Sequence, residues 1–131
     1  MTTTTRTLGA LAATVVLVGG VAVSAPAQAK GSAVSAAGHC TGHTVSKLKA
    51  KHSNGAIEIE WEVDSNRNGQ RWSFRIRQDN VLKSSGVRRT LAPSGSFSVH
   101  KRIGDAAGVH RITAVATNLT TGAVCRAVVS I

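Results

Sequence analysis

The feature that most constrains this chain is the run Ala56–Val63 (AIEIEWEV), where apolar and acidic residues alternate without a break. Ile57, Ile59, Trp61 and Val63 fall on one side, and Glu58, Glu60 and Glu62 on the other. A strand supports that period of two, whereas a helix would scatter it around its circumference. One side must be buried and the other must stay in water, the arrangement of an antiparallel sheet packed on one face. Arg71–Arg77 (RWSFRIR) repeats the pattern, with Trp72, Phe74 and Ile76 facing in and Arg71, Ser73, Arg75 and Arg77 facing out.

Shorter alternations fill the rest: Val45–Lys51, Val81–Lys83, Val87–Leu91, Phe97–Ile103, Val109–Thr117 and Val124–Ile131. Turn-forming clusters separate them, including His52-Ser53-Asn54-Gly55, Asp79-Asn80, Pro93-Ser94-Gly95 and the hairpin Asn118–Gly122. After the first 29 residues no segment carries a helical stripe. Seven or so short strands with regular turns predict an all-β sandwich.

Residues 1–29 are written differently. Arg6 is a short basic region, Leu8–Val23 an apolar one, and Ala27-Gln28-Ala29 a small-x-small cleavage site after Pro26. This predicts a signal peptide that forms a helix and is cleaved, so that the working protein is secreted and extracellular. The apolar run is short and broken by Gly, against the roughly 20 residues a membrane helix needs. No second run follows, so no span is expected after cleavage. Residues 30–43, which begin with the small and unpatterned KGSAVSAAG, are expected to be a flexible leader, with the sandwich domain over 44–131. Cys40 and Cys125 are the only cysteines, and an even count in an exported chain predicts one disulfide between them.

Trp61 late in the second alternating segment, the W-x-F-x-I run Trp72–Ile76, and Ala114–Asn118 (AVATN) before a Gly-bearing hairpin resemble fibronectin type III and immunoglobulin-like sandwiches. The resemblance covers about 45–131. There is no Tyr at all, so the tyrosine corner of such domains is missing. The whole chain is also similar to small secreted actinobacterial proteins that share the Val63–Trp72 segment (VDSNRNGQRW), a likeness that implies no particular activity.

Charge points toward a partner. The chain has 16 Lys+Arg against 6 Asp+Glu, a formal net charge of +10, and signal cleavage would remove only Arg6 among the bases. Such an excess favours anionic partners. If the strands are distributed as in the sandwiches it resembles, the segments starting at Val45, Ala56 and Phe97 share one sheet. Its outer face then sets Lys47, Lys49 and Lys51 beside Glu58, Glu60 and Glu62, with His100 and Arg102. The other sheet would display Arg71, Arg75, Arg77, Arg111 and Arg126 with little acid except Asp79. Guanidinium forks bind phosphate and carboxylate in bidentate fashion. A rival arrangement pairs 56–63 directly with 71–77, setting Asp64 against Arg71, Glu60 against Arg75 and Glu58 against Arg77, and neutralises the arginines.

Other motifs carry less. Asp64–Gly69 (DSNRNG) starts like a calcium loop, but its twelfth position is Arg75 where a bidentate Glu is needed. His39-Cys40-x-x-His43 leaves only two imidazoles once Cys40 is in a disulfide, too few for a usual zinc site. No G-x-S-x-G or H-E-x-x-H occurs. Trp61, Trp72, Phe74 and Phe97 lie on apolar faces, which leaves no ring for stacking sugars or bases. The chain is therefore expected to be a monomeric, non-enzymatic binding module with no cofactor or metal, contacting an anionic polymer or an acidic protein surface through its arginines. The alternatives are a protein-partner or protease-inhibitor domain acting through loops Ser65–Gln70 or Asn118–Gly122, and a small secreted hydrolase.

Overall fold

The computed structural model describes residues 32–131; the predicted signal peptide, 1–29, lies outside them. Nine strands follow in order: β1 Val34–Ala37, β2 His39–Cys40, β3 Val45–Ser53, β4 Ala56–Asp64, β5 Arg71–Gln78, β6 Val81–Arg89, β7 Ser96–Gly104, β8 Arg111–Asn118 and β9 Val124–Ser130. They form two antiparallel sheets, one ordered β1-β3-β4-β7 and the other β2-β9-β8-β5-β6. The division of segments between sheets is the one expected for an immunoglobulin-like or fibronectin type III-like sandwich.

The alternation seen in the sequence is the alternation of burial. Leu48, Ile57, Ile59, Trp61 and Val63 from one sheet meet Trp72, Phe74, Ile76, Ile112, Ala114 and Ala116 from the other. Trp61 and Trp72 are fully buried, and the Trp72 and Phe97 ring centroids lie 6.3 Å apart across the layers. Removing this apolar area from water is the main force holding the sheets together.

Three boundaries differ from expectation. Within the stretch expected to be an unpatterned leader, 34–40 form two short strands, β1 and β2, that pair with the sandwich. β1 pairs with β3 and β2 with β9, so this stretch leaves one sheet and joins the other at Gly38. The Gly38 N–H donates to the Ser46 carbonyl at 2.9 Å, and a Cβ at Gly38 would collide with Ser46 Oγ. Backbone pairing against small side chains builds these strands, which is why hydropathy does not mark them. Second, Val81–Lys83 and Val87–Arg89 belong to one strand, β6, with Leu91 beyond its end in an isolated bridge to Ser96. The register of β6 against β5 slips between Ile76 and Arg77, a bulge that breaks the parity of the sequence. Third, β8 starts at Arg111, leaving Val109 outside it and 80% exposed.

Cys40 and Cys125 are bonded and sit opposite each other in the β2–β9 pair. The disulfide ties the sheet-crossing strand to the last long strand. At the other side of the sandwich β6 and β7 are edges. Lys101 occupies an inward-parity position opposite Ile59 yet is exposed, a charge that discourages strand addition. On β6, Gly86 leaves room for the Phe74 ring, and the Arg88 guanidinium covers that ring at 5.1 Å from its centroid.

Candidate anion-binding face

The two outer faces are built from the same alternation but have different neighbours. On the four-stranded sheet the rows read Lys47–Glu62–Ser98, Lys49–Glu60–His100 and Lys51–Glu58–Arg102 across β3, β4 and β7. Acid stands between bases in two of the three rows. Glu58 lies 3.1 Å from Lys51 Nζ and 3.3 Å from Arg102 Nη1. The hydrogen bond from Lys51, with help from its charge and that of Arg102, holds the Glu58 carboxyl below the usual range.

On the five-stranded sheet all five arginines singled out in the sequence share the outer face. One row runs Ser85–Arg75–Val115–Arg126–His39 across β6, β5, β8, β9 and β2. Arg77 stands between Leu82 and Thr113, Arg111 faces Ser130, and Arg71 directly opposes a sixth arginine, Arg89. Like charges directly opposite are unfavourable in a sheet, and nothing acidic interrupts them. Among the described residues the ion pairs join Lys51, Arg102, His52 and His110 to Glu58, Asp79 and Asp105, and none includes an arginine of this face. The rival ladder between Glu58, Glu60, Asp64 and β5 does not form. β4 and β5 lie in opposite sheets, so the glutamates point away on the far side of the core.

The structure brings three of the five together. Arg77 on β5, Arg111 on β8 and Arg126 on β9 line an open hollow of about 420 Å³ with Asn80, Thr113 and Val115. Arg75 is in the same row as Arg126 but does not line the hollow. Arg71 lies at the opposite end of β5, beside Arg89.

Asp79, the acid nearest this face, is occupied. Its Oδ1 accepts the Arg111 N–H at 2.9 Å, and its Oδ2 is 2.7 Å from His110 Nδ1. His110 Nε2 is 2.7 Å from the Ala106 carbonyl oxygen. Both ring nitrogens thus face acceptors, an arrangement satisfied by the imidazolium, which donates from both. The bond to Asp79, followed by that to Ala106, raises the His110 pKa above its ordinary 6.5. The Arg111 N–H, followed by His110, lowers the Asp79 carboxyl below its usual range. Both carboxylate oxygens are thus engaged, by His110 and by the Arg111 backbone, and Asp79 does not line the hollow.

The loop motifs take structural roles. Asp64 Oδ1 accepts the Asn66 N–H at 2.8 Å, closing a turn. Buried Thr90 stitches this loop to the β6–β7 connection, its hydroxyl bonded to the Arg67 carbonyl and the Gln70 N–H. Asn118, also buried, accepts the N–H groups of Thr120 and Thr121 in the β8–β9 hairpin.

Sequence reasoning missed Arg89, the floor of the hollow, and the Asp79–His110 pair. Reading 81–89 as one strand could have found Arg89, but the bulge hides its parity. Nothing in a separation of 31 positions signals Asp79 with His110. No protein-family model, curated protein or solved structure matches the chain, so no relative lends it a function.

Proposed function

We propose that this chain is a secreted, non-enzymatic binding module of fibronectin type III-like architecture that contacts an anionic polymer or an acidic protein surface through Arg71, Arg75, Arg77, Arg111 and Arg126, with Arg89 added by the structure. One observation carries the reading: these arginines share a face on which no carboxylate opposes them, while the glutamates of the other face are set against bases. Packing does not require such a face, and clustered cations raise the local concentration of polyanions. The Cys40–Cys125 bond suits an oxidising compartment, in keeping with export.

The test is retention of the oxidised mature protein on an immobilised polyanion across a salt gradient, with an Arg71/Arg75/Arg77→Ala variant in parallel. Late elution that the variant loses is expected. Equal elution of the two proteins would sink the reading.

A second reading has its own support. Leu91 and Leu119 are 63% and 50% exposed in loops held by Thr90 and Asn118 at the end of the sandwich where β4, β6 and β8 finish. Rigid loops with apolar tips suit a protein partner. Binding there would survive moderate salt, because it releases few counterions.

A further inference from the structure

Building on the basic-face reading, we infer that the hollow between Arg77, Arg111 and Arg126 seats one tetrahedral oxyanion, a phosphate or sulfate ester group carried on a polymer that is held by charge alone. Three observations lead there. First, the arginines come from three adjacent strands, β5, β8 and β9, and surround the hollow instead of lying in a line. A carboxylate offers two oxygens in one plane, enough for one or two guanidinium forks. A phosphate or sulfate offers oxygens in three or more directions and can engage all three.

Second, the rest of the lining is neutral and largely donor-bearing. Asn80 contributes an amide and Thr113 a hydroxyl, with Val115 completing the wall. No carboxylate lines the hollow, since Asp79 is turned toward His110 and the Arg111 backbone.

Third, the same face extends away from the hollow as a track. Arg75 and then Arg71 follow Arg77 along β5, and Arg89 stands beside Arg71. At a rise of about 3.3 Å per residue the β5 arginines span roughly 20 Å, long enough for several charged repeats of an extended chain. Trp61, Trp72, Phe74 and Phe97 are all buried, so the face presents no Trp or Phe ring on which a nucleobase could stack. A polymer lying here is read by the spacing of its anionic groups.

The experiment measures affinity by titration calorimetry for three chains of matched charge number: dextran phosphate (monoester), dextran sulfate and polyglutamate. Dextran phosphate and dextran sulfate are expected to bind about tenfold tighter than polyglutamate, a difference of about 1.4 kcal/mol. Arg77→Ala, Arg111→Ala and Arg126→Ala should each erase that preference. Arg71→Ala and Arg89→Ala should weaken all three polymers alike and leave the ratio unchanged. In a parallel NMR titration with inorganic phosphate, the side-chain Nε–H signals of Arg77, Arg111 and Arg126 should shift saturably ahead of those of Arg71 and Arg89. Equal affinity for polyglutamate, or uniform arginine shifts, would overturn the seat while leaving the basic face intact. Absence of binding to all three polymers at low salt would overturn the basic-face reading itself. Every variant lies on the exposed face, and an unchanged melting temperature certifies that it is folded.

Discussion

On the four-stranded sheet the central acidic strand β4 is flanked by the bases of β3 and β7, so the lysines of β3 look across at glutamate. On the five-stranded sheet the arginine strand β5 lies between β6 and β8, which offer Ser85, Val87, Leu82, Val115, Thr113 and another arginine. Both faces are rich in positive charge, yet one is internally compensated and the other is open. The difference lies in strand order, not in composition. The residue types follow the same division. Compact, strongly hydrated lysine serves the paired β3–β4 ladder, and forked arginine serves the face without partners.

The largest expected effect tests whether that contrast depends on the covalent cross-link. Replacing Cys40 and Cys125 together with Ala should lower unfolding free energy by roughly 3–5 kcal/mol, the scale of a cross-link closing a long loop. Denaturant titration measures this. Below the new melting temperature, polyanion retention should match that of the parent. Lost retention in a folded variant would mean that β2 shapes the face through its pairing with β9.

Next in size is a comparison of matched triple variants. Arg77/Arg111/Arg126→Ala should flatten the dependence of log affinity on log salt by about 3 for a polyanion, near one unit for each phosphate no longer neutralised. Lys47/Lys49/Lys51→Ala should change that slope by less than about 1, because those lysines already face acid. Equal changes in the two variants would break the contrast between the faces.

A third variant converts one face toward the other. Val115 stands between Arg75 and Arg126 as Glu60 stands between Lys49 and His100. Val115→Glu should change stability by no more than about 1 kcal/mol for each new cross-strand pair. Polyanion binding should fall far more than that small change implies. A variant that binds as tightly as the parent would show that local compensation is not what distinguishes the faces.

The smallest effect concerns the lower end of the basic sheet, where His110 lies 2.7 Å from Asp79. The folded pKa of His110 is raised above 6.5, so its contribution to stability is complete below that value and is lost as pH rises through the folded value. The folded pKa of Asp79 is lowered below 3.8, so its contribution is present above that value and is lost as pH falls through the folded value. The pair is therefore at full strength between about pH 4 and 6.5. The melting temperature should decline as pH rises from there, and His110→Gln should flatten the decline. The same variant frees Asp79 to face the arginines and should weaken polyanion binding modestly at pH 6. A parent and variant with the same pH profile would remove His110 from this role.

Much of this architecture is legible in the residues alone. Alternation in 56–63 and 71–77 determined that the chain is a sheet protein, which side chains form its core and which point to water, because a strand sends successive residues to opposite faces. Cys40 and Cys125, the only two cysteines, led to the expectation of their bond. A sheet-crossing strand at Val34–Cys40 was invisible, since it is held by backbone hydrogen bonds whose donors and acceptors nearly every residue possesses. The bulge in β6 hid Arg89 because parity carries meaning only while register is unbroken.

The sequence by itself determined that the outward residues of 71–77 are chiefly arginines and those of 56–63 glutamates. It left open whether the two runs pair with each other. Only the tertiary structure decided that they lie in opposite sheets and that Arg77, Arg111 and Arg126 meet around one hollow. The physical reason is that periodicity is a property of a single strand, whereas neutralisation depends on which strand lies alongside, and that is chosen by how the two apolar faces close over Trp61 and Trp72.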